Sequence, residues 1–196
     1  MPGPYYSTMT YTKQQMIAYA RMRLGLDHSL SGCEAEQTDG IDSDRLIGYA
    51  VRQWYLDVLA KGEEGAVERR PLDVVVATPS GSTGGERLKL PEKAVRVLTV
   101  RLNGWHHAVV PLGPEEMDVT IRRQLNAYSA ATVRNPVAVE TADGHIMAWP
   151  SGDGYGPPEV YGTIDDGENL YTFGEGALAS LDSYLHKIRI TDYASF

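Results

Sequence analysis

Cysteine is almost missing from this chain, and its scarcity excludes one class of protein at once. Cys33 is the single cysteine among 196 residues, so no internal disulfide can form and a secreted, disulfide-stapled scaffold is excluded. Long apolar runs are missing as well: no stretch approaches the roughly 18 residues of a membrane-spanning helix. The opening residues, Met-Pro-Gly-Pro-Tyr-Tyr, have neither the basic start nor the apolar centre of a signal peptide. We therefore expect a soluble protein made in a cytoplasm.

Positive charge is in short supply and unevenly placed. The formal net charge of −8 argues against a dedicated nucleic-acid binder, which carries a basic face. Residues 27–44 hold six acids and no base, residues 152–175 again hold six acids and no base, and residues 87–134 hold eight bases against four acids. These segments are either solvated loops or acidic and basic lobes that meet across subunits.

Helical patterns occupy the first third of the chain. Thr12 and Gln15 have the spacing of a capping box, apolar residues follow at helical spacing, and Gly25 is suited to end that helix. A second helix is predicted with Asp42 or Ser43 as its cap and Gly62 as its end. Its apolar face is predicted to contain Leu46, Ile47, Ala50, Trp54 and Val58.

From Pro71 onward the apolar period changes to two, which is typical of strands. Asn103-Gly104 lies between two β-rich runs, residues 95–102 and 105–110, and predicts a hairpin with a type I′ turn. A helix near residues 114–128 is predicted to place Met117, Ile121, Leu125 and Tyr128 on one face. A second hairpin is predicted around Asp143-Gly144, and strands at residues 159–164 and 170–173 precede a last helix.

These patterns predict an α+β fold: an N-terminal helical pair packed with an antiparallel β-hairpin sheet or sandwich, extended loops and a C-terminal helix. We expect an extended arm over residues 1–11 and a single domain over 12–196. Within that domain, residues 12–62 are helical, 71–174 mainly β with one helix near 114–128, and 175–190 form the terminal helix. The predicted core comprises Leu46, Ile47, Ala50, Trp54, Val97, Val100, Val109, Val137, Val139 and Ile146.

No arrangement of reactive side chains favours an enzyme. His106 and His107 are adjacent on a predicted strand, so their side chains would point to opposite faces and could not share one metal ion. Cys33 lies in an acidic segment, where a thiolate is disfavoured. We expect no catalytic residue, no metal site and no cofactor.

Tyrosines accumulate where the sequence least resembles a compact domain. They lie in the Pro- and Gly-bearing N-terminus and in the long stretch 151–173, which is long for a connection inside one domain. Tyrosine gives a large contact area at low cost in conformational entropy, so interfaces favour it. The expected assembly residues are Tyr5, Tyr6, Tyr155, Tyr161 and Tyr171.

Several short motifs also follow one another in a fixed order. Residues 41–47 (IDSDRLI) open the second helix, residues 90–100 (LPEKAVRVLTV) lead to the Asn103-Gly104 turn, and residues 109–112 (VVPL) follow. Residues 135–139 (NPVAV), the Asp143-Gly144 turn and Trp149-Pro150 complete the series. Over roughly residues 12–190 this order resembles the head–tail connector (adaptor or head-completion) proteins of tailed bacteriophages.

The resemblance implies a structural virion protein of the neck region, made in the host bacterial cytoplasm. Its partners would be copies of itself in a ring, commonly twelve-fold, together with the portal and tail proteins, and no membrane. Genomic DNA would pass through the lumen only transiently and without sequence readout, and an acidic lining would let it slide. Two alternatives stay open: another phage tail-completion or ring component, and a small soluble enzyme or ligand-binding domain.

Overall fold

Two compact units make up the chain. Residues 7–25, 43–63, 65–77, 84–152, 154–174 and 176–193 are described by the computed structural model, by backbone alone at residue 43 and over 188–193. They form helices and antiparallel sheets, which confirms the predicted α+β class. Unit 1 comprises residues 1–68 and 165–196, and unit 2 comprises residues 69–164. Unit 2 is therefore inserted, in sequence, between the two parts of unit 1.

The elements of each unit are as follows. Unit 1 contains β1 (Thr8–Thr12), α1 (Lys13–Leu24), α2 (Ser43–Lys61), β9 (Leu170–Gly174) and α4 (Ala177–Tyr193). Unit 2 contains β2 (Arg70–Pro71), β3 (Val75–Ala77), β4 (Glu86–Lys89), β5 (Ala94–Arg101), α3 (Met117–Gln124), β6 (Val137–Glu140), β7 (His145–Trp149) and β8 (Glu159–Ile164). A short 3₁₀ turn, Pro114–Glu116, leads into α3.

Both ends of α1 are set by local sequence. The backbone N–H of Gln15 donates to Thr12 Oγ1 at 3.3 Å, and the N–H of Thr12 donates to Gln15 Oε1 at 2.8 Å, so the predicted capping box is confirmed. Gly25 ends the helix at φ 70°, in the left-handed region that glycine adopts without steric cost. The predicted cap residues of the second helix, Asp42 and the side chain of Ser43, lie outside the described residues.

The inner face of α2 builds the core of unit 1. It buries Ile47, Val51, Trp54, Tyr55, Val58 and Leu59. The prediction is correct for Ile47 and Trp54, and Ala50 is half-buried, but it is wrong for Leu46, whose side chain is 58% exposed. Successive helical residues are separated by about 100°, so a face centred on Val51 and Tyr55 turns Leu46 outward.

The arm and the last predicted strand meet in unit 1. β1 pairs antiparallel with β9, from Thr8 opposite Gly174 to Thr12 opposite Leu170. Phe173 is fully buried there, stacked on Tyr11 at 5.6 Å and edge-on to Trp54 at 5.3 Å between ring centroids. The end of the predicted arm is thus a strand, and β9 belongs to the helical unit rather than with the β part.

A charged pair fixes the segment that leads into β9. Arg52 of α2 donates to both carboxylate oxygens of Asp165, and its Nη1 also donates to the carbonyl of Gly167 at 3.0 Å. The hydrogen bonding that Arg52 donates to the Asp165 carboxylate is the main cause that raises the pKa of Arg52. The Asp165-Asp166-Gly167 turn, expected to be a solvated acidic turn, is instead tied to α2.

Unit 2 is built from two antiparallel sheets that share one core. Their strand orders are β2-β8-β5 and β3-β4-β7-β6. The shared core comprises Leu72, Leu88, Val97, Val100, Leu102, Trp105, Ala138, Ile146, Ala148 and Val160. Of the predicted core residues in this unit, Val97, Val100, Val139 and Ile146 are buried, whereas Val109 and Val137 are partly exposed. This packing agrees with the sheet or sandwich that the sequence predicts.

The first predicted hairpin does not form as expected. Gly104 has φ 88°, but no described residue other than glycine has a positive φ, so the turn is not type I′. Trp105 enters the core and its indole N–H donates to the carbonyl of Pro150 at 2.9 Å. Residues 105–110 form a single antiparallel bridge with β5, between Val109 and Val100, rather than a paired strand. Residues 105–110 are therefore not a strand.

The second predicted hairpin is confirmed. β6 pairs with β7 from Val137 opposite Trp149 to Glu140 opposite Ile146. The N–H of Gly144 donates to the carbonyl of Thr141 at 2.9 Å, and Gly144 supplies the positive φ of 74°. A turn closed in this way by a left-handed glycine is a common hairpin connection. The terminal helix is also confirmed, as α4 (Ala177–Tyr193).

Candidate assembly surfaces

Of the reactive side chains singled out in the sequence, the structure describes His106, His107 and His145. His106 and His107 are exposed at a bend in unit 2, and His145 lies in the β6–β7 hairpin, where its Nδ1 is 3.0 Å from the carbonyl oxygen of Asp143. Cys33 lies outside the described residues. Among the residues that the structure covers, no group of three His, Cys, Asp or Glu side chains is placed to hold a metal ion.

The helices of the described residues also bear on membrane spanning. None of the helices found there is both long and apolar enough to cross a bilayer.

The predicted assembly tyrosines have three different surroundings. Tyr155 is 91% exposed. Tyr161 is partly buried beneath Arg69, whose guanidinium carbon lies 4.4 Å from the ring centroid. Tyr171 is fully buried and packs edge-on against Tyr55 at 5.0 Å, so it forms part of the core of unit 1 and presents no surface. Tyr5 and Tyr6 lie outside the described residues.

The outer face of α2 carries a second apolar row, which we call the α2 stripe. It consists of Leu46, Tyr49, Leu56 and Ala60, with the polar Gln53 at its centre, at alternating spacings of three and four residues. Leu46 is 58% and Tyr49 is 66% exposed, and the other three are partly exposed. A row at this spacing is the seam by which one helix packs on another. Arg45, which is exposed, separates the stripe from the acidic segment 27–44.

A second exposed apolar surface follows α3 in unit 2. The helix ends at Gln124, so the prediction that Leu125 and Tyr128 share its apolar face is wrong. Leu125 is 70% exposed and Tyr128 is completely exposed. Within α3 the buried residue is Thr120, and Met117 and Ile121 are partly buried. We call residues 122–131 the knob.

The knob is held in shape by its own hydrogen bonds. The N–H groups of Ser129 and Ala130 donate to the carbonyl of Asn126, at 3.0 and 2.8 Å. The N–H of Tyr128 donates to Asn126 Oδ1 at 3.0 Å, and the N–H of Ala131 donates to Gln124 Oε1 at 2.9 Å. Tyr128 is therefore exposed on a backbone that is already ordered, so little conformational entropy remains to be lost when it meets a partner.

The knob is also basic. Arg122 and Arg123 are exposed at the end of α3, and neither forms an ion pair with a described residue. Their position at the C-terminal end of a helix is electrostatically favourable. The knob thus combines two cations with two exposed apolar side chains.

Charge is divided unequally between the two units. Unit 1 contains eight Lys and Arg against sixteen Asp and Glu, whereas unit 2 contains ten of each. The entire net charge of −8 therefore belongs to unit 1. The α2 stripe lies in the acidic unit and the basic knob lies in the neutral one.

Two carboxylates of the β6–β7 hairpin have shifted pKa values. Burial raises the pKa of Glu140, and nearby Glu115 raises it further while Arg96 opposes the change. The hydroxyl of Thr141 donates to Asp143 and is the main cause that lowers the pKa of that carboxyl, with Arg87 adding to the effect. Glu140 is partly buried and Asp143 is exposed, so the shift of Glu140 follows mainly from burial and that of Asp143 mainly from hydrogen bonding.

Sequence reasoning missed the α2 stripe and the knob. The α2 stripe was detectable, because its residues between positions 46 and 60 alternate at spacings of three and four. The residues of the buried face of α2 follow the same helical spacing. The knob was partly detectable from Asn126, which ends helices and accepts backbone hydrogen bonds. Comparisons of the chain with models of protein families, with curated proteins and with solved structures found no match.

Proposed function

We propose that the chain is a structural subunit of a closed ring, the head–tail connector between the portal and the tail of a tailed bacteriophage. The observation that carries the proposal is the presence of two unlike exposed apolar surfaces, the α2 stripe and the knob. Closed rings are generated by heterologous contacts, in which one surface of a subunit meets a different surface of the next. A subunit that exposes two such surfaces has what this contact requires.

Exposed apolar side chains are costly to a subunit that stays alone. Tyr49, Leu125 and Tyr128 each expose well over half of their side chains, and clustered apolar exposure marks association sites in soluble proteins. Interfaces are also enriched in tyrosine and arginine, which are the residues of the knob. These features support an assembly role over one that depends on a closed ligand pocket.

The distribution of charge suits a ring that lets DNA pass. A protein that holds DNA neutralises its phosphates with Lys and Arg, whereas unit 1 carries an excess of eight acids. An acidic surface at the lumen repels phosphates, so the DNA slides without being bound. The partners in this proposal are copies of the chain, the portal protein and tail proteins, and the protein acts in the virion neck without a cofactor.

The test is reconstitution with the portal protein encoded in the same genome. The two proteins are co-expressed, the complex is purified through a tag on the portal, and its symmetry is determined by electron microscopy. We expect a ring of this chain stacked on the portal ring, with an open central channel. Portal purified alone serves as the control for the added density.

Two results would refute the proposal. One is a portal ring that forms normally but retains none of this chain. The other is a genome that encodes no portal or capsid protein. A ring that instead co-purifies only with tail proteins would assign the chain to tail completion and so replace the connector role.

A further inference from the structure

Exposed charges of opposite sign lie at the two ends of α3. Glu115, Glu116 and Asp118 are exposed at its start, and Arg122 and Arg123 are exposed at its end. None of these five side chains forms an ion pair within the part of the chain that the structure describes. A second copy of the same element, turned end for end, presents the opposite charge at each end and is therefore its electrostatic complement.

The charges are placed symmetrically about Val119, whose side chain is 44% exposed. Glu116 and Arg122 each lie three positions from Val119 in the sequence. Glu115 and Arg123 each lie four positions from it. Because helical residues three and four positions apart share one face, these four charges flank Val119 on the outer side of α3.

Exposed apolar side chains continue the same symmetry beyond the charges. Val110 and Leu112 precede the acidic end, and both are exposed. Leu125 and Tyr128 of the knob follow the basic end. In an antiparallel pair, apolar side chains meet apolar side chains at both ends, and carboxylates meet arginines between them. A parallel pair would instead set arginines against arginines, and like charges that face each other oppose association.

We propose that two copies of this chain associate about a two-fold axis at Val119, through the surface formed by residues 110–128, which we call the α3 face. The acidic end of each copy contacts Arg122 and Arg123 of the other, so every contact occurs twice, as in an isologous interface. The pair forms in the free chain and does not depend on the proposed ring. It covers Tyr128, so a copy that uses its knob in a ring must first leave the pair.

Charge reversal tests the contact in solution. One variant carries Arg122→Glu with Arg123→Glu and is acidic at both ends of the α3 face, and the other carries Glu115→Arg with Glu116→Arg and is basic at both ends. The dissociation constant of the pair is measured by analytical ultracentrifugation. Each variant alone should dissociate at least about tenfold more readily than the parent, because like charges face each other at both ends.

The decisive result is rescue. An equimolar mixture of the two variants should associate into mixed pairs, and a chain that carries both reversals should pair with itself as the parent does. A matched control, Lys89→Glu with Lys93→Glu, makes the same change in net charge at two exposed positions of unit 2 outside the α3 face. This control should leave the dissociation constant unchanged.

Three outcomes would overturn the proposal. One is a parent chain that stays monomeric up to its solubility limit. Another is a mixture that fails to associate although both variants have the circular dichroism spectrum of the parent, which shows that they are folded. The third is growth beyond two copies that the same charge reversals abolish, since it would show a head-to-tail contact through the α3 face.

Cross-linking locates the axis. In a Cys33→Ser background, Val119→Cys provides a single thiol, which in the pair lies next to its own counterpart. A short bismaleimide should therefore link two copies of this variant, whereas Lys93→Cys in the same background should remain unlinked. An unlinked Val119→Cys chain at concentrations where the ultracentrifuge shows pairs would refute an axis at Val119.

These measurements use the free chain, so their outcome is separate from that of the proposed function. Pairs in solution together with a portal ring that retains none of this chain would refute the connector role and leave the pair standing. A ring on the portal together with a parent chain that never pairs would refute the pair and leave the connector role standing.

Discussion

Replacement of Trp54 by alanine tests whether the inner face of α2 supports the fold. The side chain is 2% exposed, its ring packs edge-on against Phe173 at 5.3 Å, and its indole N–H donates to Ser180 Oγ at 3.0 Å. Removing a buried aromatic ring of this kind costs about 3–5 kcal/mol. We expect the free energy of unfolding of unit 1 to fall by that amount.

Trp54→Phe separates the hydrogen bond from the burial. Phenylalanine keeps most of the apolar contact but cannot donate, so we expect a loss of about 1–2 kcal/mol. Ser180 is not left without a partner, because its hydroxyl also donates to the carbonyl of Ala177 at 2.7 Å. Ser180→Ala should therefore cost about 1 kcal/mol, and its effect should shrink when Trp54 is already phenylalanine.

The assay is urea unfolding followed by far-UV circular dichroism, since tryptophan fluorescence changes with the substitution itself. Midpoint and slope are both fitted, and a change in the midpoint at constant slope reports stability alone. A Trp54→Ala variant as stable as the parent would refute the reasoning. It would mean that this face of α2 gains its stabilising contacts from a partner rather than from Phe173 and α4.

Three further predictions concern charge, the first strand and the histidines. Glu140→Gln should raise the free energy of unfolding at neutral pH, because the raised pKa means that the folded state disfavours ionised Glu140. This gain in stability should vanish as the pH falls below about 4, where the carboxyl is protonated in both the folded and the unfolded state. The measurement is urea unfolding at both pH values, and a gain that persists in acid would contradict the prediction. Deletion of residues 1–12 should destabilise unit 1, because β1 pairs with β9 and Tyr11 stacks on Phe173. An unfolding midpoint equal to that of the parent would contradict the role of β1. We expect ring formation on the portal to survive single alanine substitutions at four positions: Cys33, His106, His107 and His145. A variant that stays folded but fails to assemble would reveal a role for the substituted residue.

Elements specified by neighbouring residues were predictable from the sequence. Thr12 and Gln15 cap α1 through contacts only three residues apart, and Thr141 and Gly144 close a hairpin over an equally short span. Such signals depend little on the rest of the fold. They account for the correct prediction of α1, of the β6–β7 hairpin and of the α+β class.

Features that depend on distant parts of the chain were not predictable. α2 carries two apolar rows, and the choice between them is made by β9 and α4, which supply Phe173 and Ser180 against Trp54. The pairing of β1 with β9 joins residues about 160 positions apart, as the Thr10–Thr172 contact shows. Trp105 leaves the predicted strand because the core of unit 2 takes up its ring.

The same reasons explain the candidate surfaces. Tyr128 follows the apolar residues Leu125 and Ile121 by three and seven positions, so periodicity alone extends the helix through it. The hydrogen bonds that Asn126 accepts end the helix first. Tyr171 was predicted as an interface residue from composition, yet its neighbour in space, Tyr55, lies more than a hundred residues away in sequence. Exposure of a tyrosine is decided by such partners.

The insertion of unit 2 within unit 1 sets an order of events during synthesis. Residues 69–164 leave the ribosome as one continuous segment and can fold as soon as they emerge. The helices α1 and α2 are made earlier but lack β9 and α4, which complete their core and are made later. The knob is therefore formed before the α2 stripe has a stable helix beneath it. In the proposed ring, both surfaces of a copy would therefore be complete only after the chain has been synthesised through α4.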